Sequence, residues 1–84
     1  MTDRACDDET VNKIRHIILS HKSVLGIDLL KTRLFGDRIY VDVEISVDGT
    51  KALNEAHEIA QHVHDIIESE FPKVKHCTVH VNPS

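Results

Sequence analysis

The stretch "RIYVDVEISVD", Arg38 to Asp48, alternates without a break. Ile39, Val41, Val43, Ile45 and Val47 share one parity; Tyr40, Asp42, Glu44, Ser46 and Asp48 share the other. Successive side chains of an extended chain point to opposite faces. The stretch therefore predicts a strand buried on one side and polar on the other, which is the signature of a sheet covered on a single face.

Upstream, Ile27 to Phe35 predicts a partner strand, joined through the tight-turn pair Gly36-Asp37. Its inward residues are expected to be Leu30, Thr32 and Leu34, although Leu29 and Phe35 fall on the Lys31 side. Downstream, Asp48-Gly49 ends the hairpin and a long helix is expected over 51–70. Leu53, Ala56, Ile59, Ala60, Val63, Ile66 and Ile67 form its apolar stripe at about 100° per residue. Phe71-Pro72 stops it. A last strand, Val74 to Asn82, places Cys77, Val79 and Val81 on one face and His76, Thr78, His80 and Asn82 on the other. Before the first strand, Val11, Ile14, Ile17, Ile18 and His21 recur at helical spacing from Thr10. Thr10 or an Asp just before it serves as N-cap.

The predicted order is α-β-β-α-β. Each strand has one apolar face, so both helices must cover the same side of a three-stranded sheet. This is an α+β open-faced sandwich, ferredoxin-like and metallochaperone-like, without the first ferredoxin strand. Residues 1–9, polar and charged, are expected to form a flexible linker, and residues 10–84 the domain.

Bulk composition narrows the function. Eighty-four residues make one small domain, with 40% hydrophobic and 29% charged residues and a formal net charge of −4. No basic stripe suits nucleic acid. No nucleophile motif, phosphate loop or HExxH is present, so an enzyme is not expected. Two cysteines, Cys6 and Cys77, make no disulfide framework and read as reduced thiols. No apolar run is long enough to cross a bilayer.

Seven histidines are unusual beside one Tyr, two Phe and no Trp. In "EAHEIAQHVHD", residues 55–65, His57 lies about 40° from Leu53 on the helical wheel, at the edge of the stripe. His64 is two turns on, and His62 points towards solvent. No i,i+4 pair of the single-helix zinc type is present, so His62 and His64 read as surface residues. His16 also reads as exposed, and His21 as a capping residue at the end of the first helix. His80 and Glu44 differ, because both lie on the outer sheet face with Asp42, Tyr40 and Asn82. Imidazole and carboxylate gathered on one face supply the donors that a Zn²⁺-type ion takes.

"EAHEIA" (55–60), "FP" (71–72) and "TVHVNP" (78–83) closely resemble the cytoplasmic C-terminal domain of cation diffusion facilitator transporters, and the match runs from about Val11 to the end. "TDRACDDE" (2–9) resembles the segment that joins the last transmembrane helix to that domain, where an Asp-Arg pair matching Asp3 and Arg4 joins a charge interlock. The resemblance implies a V-shaped homodimer attached to the transmembrane domain of the same transporter. It implies a cytoplasmic location on a cell inner membrane or magnetosome membrane, with no small-molecule substrate other than metal ions. Carried over by position, the metal ligands are Asp28, Glu44, His57, His80 and Asn82. Zinc-exporting members have His at the positions of Asp28 and Glu44 and Asp at that of Asn82, so this sequence departs at all three. Magnetosome-associated members use an Asp matching Asp42 and histidines matching His57 and His80, a pattern that fits at least as well. Zn²⁺ heads the expected ions, with Fe²⁺, Mn²⁺, Co²⁺ and Ni²⁺ as alternatives. The function implied is a metal-sensing, dimerising regulatory domain of a divalent-cation efflux transporter. The rivals are a metal-free dimerisation module and a stand-alone metallochaperone, the latter opposed by the absence of a CxxC loop.

Overall fold

The computed structural model describes residues 7–83. Met1 to Cys6 and Ser84 lie outside the described residues, and with them the Asp3-Arg4 pair and one of the two thiols. The elements are α1 (Asp8–Leu19), β1 (Gly26–Phe35), β2 (Arg38–Val47), α2 (Leu53–Glu70) and β3 (Val74–Pro83), in the order expected from the sequence.

Helix α1 begins two residues earlier than the hydrophobic pattern alone indicates, so Asp8 and Glu9 are helix rather than linker. Asp7 is the N-cap, its carboxylate accepting the Thr10 amide at 3.4 Å. Asp8 and Glu9 then sit in the first turn, where negative charge favours the helix terminus. That hydrogen bond holds the Asp7 carboxyl below its ordinary range. At α2 the cap is weaker. Ala52 has no side-chain acceptor, and only the Glu55 carboxylate reaches back, to the Ala52 amide at 3.4 Å.

The sheet order is β1-β2-β3, with β2 antiparallel to β1 and parallel to β3. Gly36 turns the β1–β2 hairpin with φ 62°, which a glycine adopts without a Cβ penalty. The Asp48-Gly49 pair does not close a hairpin as expected but turns the chain from β2 towards α2. There the Asp48 carboxylate accepts the Thr50 amide at 2.9 Å and the Thr50 hydroxyl at 2.8 Å. These two bonds hold the Asp48 carboxyl below the usual range.

All five inward residues of β2, Ile39 to Val47, are buried. They form the floor onto which Ile14 and Ile18 of α1 and Ile59, Val63 and Ile67 of α2 pack. No polar or charged side chain is buried among the described residues. Leu30 and Leu34 of β1 pack against this cluster. Leu29 and Phe35 face outward, opposite Glu44 and Arg38 of β2. The Phe35 ring meets Tyr40 edge to face, with centroids 5.0 Å apart. Leu53 is a correction to the expected stripe: at 75% exposure it lies on the first turn of α2, outside the core. Cys77 is a free, buried thiol; burial pushes its pKa up to about 11, and the charges of Glu68 and Asp42 add to the effect.

The His21 backbone amide donates to the Ile18 carbonyl of α1 at 3.3 Å, but its imidazole does not cap the helix. It lies beyond α1, where its Nδ1 accepts the Ser23 amide at 3.1 Å, and its ring meets His62 at 5.5 Å and 71°. His62 is thus exposed yet in contact with the α1–β1 turn, a contact the helical wheel does not reveal. Burial first, then His62 and Lys22, hold the His21 imidazole below its ordinary value of 6.5. Glu55, Glu58 and Lys51 line the same cleft. The unfolded chain therefore binds this proton more readily than the folded one. The stabilisation is complete above about pH 6.5 and is lost as pH falls through that value towards the folded pKa. Thermal melts between pH 7.5 and 5.5 should show a stability loss that His21→Gln makes shallower. An unchanged slope in that variant would contradict the assignment.

Candidate metal site

The outer sheet face follows from the same alternation that builds the core. With the inward half of β2 buried, Tyr40, Asp42, Glu44 and Ser46 must face away from the helices. Parallel pairing sets them beside β3, with Tyr40 opposite His76, Asp42 opposite Thr78, Glu44 opposite His80 and Ser46 opposite Asn82. On the other side, Lys31 of β1 lies opposite Asp42 and Arg33 opposite Tyr40. An aromatic row crosses one end of this face, with His76 tilted against Tyr40 at 5.6 Å beyond the Phe35 contact.

Two sets of candidate ligands occupy the rest. In the first, His80 Nε2 lies 3.9 Å from Asp42 Oδ1, with the two side chains 60% and 52% exposed. That separation is too long for a hydrogen bond. Two donors of a tetrahedral Zn²⁺, each about 2.1 Å from the metal, stand about 3.4 Å apart. Small side-chain rotations would therefore let the pair chelate one ion. The second set gathers three strands. Asp28 sits at a β-bulge in β1, between Ile27 and Leu29, and is not one of the register-paired residues. The Asn82 amide nitrogen donates to Asp28 Oδ2 and to Glu44 Oε1, each at 3.0 Å.

His57 stands apart on the flank of α2. It shares with His80 a groove of about 440 Å³ between α2 and β3, lined also by Leu53, Ala56, Ala60, Val79 and Val81. His64, expected at the surface, is half-buried, with Nδ1 3.4 Å from Asp65 and Nε2 3.5 Å from Glu68 of its own helix. Among the described residues no three His, Cys, Asp or Glu side chains are arranged to hold a metal ion. One chain thus offers a His-carboxylate pair, an amide-bridged carboxylate pair and a separate imidazole.

Residues 6–84 match the family described as cation efflux protein, cytoplasmic domain, and the chain belongs to that family. Metal tolerance protein C1 of Arabidopsis thaliana is 31% identical over 84 residues, covering all of this chain and 18% of that protein. The manganese efflux system protein MneP of Bacillus subtilis is 26% identical over 83 residues, covering 99% of this chain and 28% of that protein. The chain thus spans well under a third of the length of these relatives, which are named as metal-handling proteins. Among solved structures, a nickel form of MamM CTD superposes with a TM-score of 0.89 over 93% of this chain and 99% of that one, at 23% identity. A cadmium form of the same domain gives 0.88 over 92% and 96%, at 22% identity. At these identities the likeness shows the fold alone. Among the described residues no helix is long and apolar enough to cross a membrane.

Proposed function

We propose that this chain is the metal-responsive dimerisation domain of a divalent-cation efflux transporter, in which Asp42 and His80 of two chains bridge one ion across a twofold axis. The observation that carries this reading is the Asp42–His80 pair on the uncovered sheet face. A pair is half of a tetrahedral donor set, and twofold symmetry supplies the other half from the same surface of a second copy. Neutral imidazole with carboxylate suits Zn²⁺, and Fe²⁺, Mn²⁺, Co²⁺ or Ni²⁺ share the same donors. His57, across the groove from His80, is an auxiliary ligand.

Regulation follows from differential affinity. An ion that contacts both protomers binds the closed pair better than the open one and shifts the population towards closure. In a full transporter the membrane portion of the same polypeptide would feel that shift on the cytoplasmic side of its membrane. The test is the pH dependence of Zn²⁺ affinity. Protons and the ion compete for the imidazole nitrogen, so affinity should fall as pH is lowered from about 7.5 to about 5.5. Affinity that stays flat over that range would point to carboxylate-only binding and remove His80 and His57 from the site.

A further inference from the structure

We infer that the Asn82 carboxamide is a built-in substitute for a cation. It clamps Asp28 and Glu44 across all three strands, closes that locus to metal, and sets the β2–β3 geometry on which the Asp42–His80 pair depends. The metal arm of this inference rests on the function proposed above; the metal-free arm does not.

The geometry is specific. One nitrogen carries two hydrogens, and each goes to a carboxylate on a different strand at 3.0 Å. The two accepting oxygens therefore lie no more than 6.0 Å apart, twice that donor distance. Two carboxylates at that range repel unless positive charge lies between them. A divalent cation would supply it, and so does an amide NH₂, through two charge-assisted hydrogen bonds. The amide differs from an ion in being covalently part of β3, so it is always present.

Two consequences follow. A cation entering between Asp28 Oδ2 and Glu44 Oε1, where the two carboxylates could share it, meets donor hydrogens of the amide rather than a third ligand atom. It must break both bonds and turn the amide by half a revolution before Oδ1 faces it. The clamp also spans β1, β2 and β3 on the outer face, two residues beyond Asp42 on β2 and two beyond His80 on β3. It fixes the β2–β3 register at Ser46–Asn82 and Glu44–His80, so the two donors of the pair are held near one another before any ion arrives.

Asn82→Asp tests this. The substitution keeps the size of the side chain but replaces the bridging donor by a third carboxylate. In EDTA, N82D should melt below wild type by at least about 4 °C, the shift that accompanies a loss of about 1 kcal/mol in a domain of this size. Adding Glu44→Gln should recover most of that loss by returning an amide to the cluster. Mn²⁺ or Zn²⁺ chloride should raise the melting temperature of N82D, and should still do so with His80→Ala present. His80→Ala alone, with Asn82 intact, should show no metal-induced rise. If N82D melts like wild type in EDTA, there is no clamp. If His80→Ala alone is stabilised by metal and Glu44→Gln removes that effect, the amide does not exclude cations. If wild type binds no metal while N82D shows the loss and its rescue, the clamp stands and the metal-bridged dimer falls.

Discussion

Ile45→Ala should destabilise the domain by about 2–5 kcal/mol, the largest loss expected of any single truncation. Ile45 is fully buried on the inward face of β2, the strand that pairs on both sides and forms the floor of the core. Truncating a buried Ile removes transfer energy and leaves a cavity, at a cost of about 2–5 kcal/mol. A domain of 84 residues has only about 4–13 kcal/mol in total, so roughly 10–30 °C of melting temperature should disappear. Leu53→Ala is the matched contrast. Leu53 is 75% exposed, so its truncation should change stability by less than about 0.5 kcal/mol. Paired thermal melts decide the matter. Similar losses for both variants would mean that α2 packs in a different place from the one described.

The second large effect concerns metal. His80→Ala and Asp42→Ala should each weaken transition-metal binding more than about 100-fold, because losing even an outer-shell partner of a metal ligand costs about 10–100-fold. His57→Ala should cost less, since His57 faces the same groove from α2 rather than from the outer sheet face. His62→Ala should leave the affinity unchanged, because its ring lies against His21 beside the α1–β1 turn. All four positions are exposed, so the metal-free melting temperatures should remain close to wild type. Calorimetric titration with Zn²⁺ gives the ranking. Binding abolished by His62→Ala and preserved in His80→Ala would reverse the assignment.

Particular residues show how far the sequence reveals this molecule. The parity of "RIYVDVEISVD" places every β2 side chain on its correct face, because one-sided burial imposes a period of two and nothing local competes with it. Parity also puts Asp42, Glu44, His80 and Asn82 on one surface. It carries no information about which residues stand side by side. That depends on the parallel β2–β3 register, which joins strands separated in sequence by the whole of α2. The Asp28 bulge is likewise invisible, since an unpaired residue in "GIDLLKTRLF" looks like any other polar position. The bridge from Asn82 to Asp28 joins residues 54 apart in sequence, a separation at which local spacing says nothing. Leu53 fails for another reason. A helical wheel gives azimuth only, and this residue has an azimuth suited to the core but lies on the terminal turn of α2. The His21–His62 contact is missed similarly, because it forms between a turn and a helix flank.

The stoichiometry of Zn²⁺ binding, measured together with molecular mass by sedimentation, tests the central claim most directly. Each chain supplies the Asp42–His80 pair and the ion takes both copies, so saturation should occur at one Zn²⁺ per two chains on a dimeric species. His80→Ala should remove that binding. One Zn²⁺ per chain on a monomer, unaffected by His80→Ala, would contradict it.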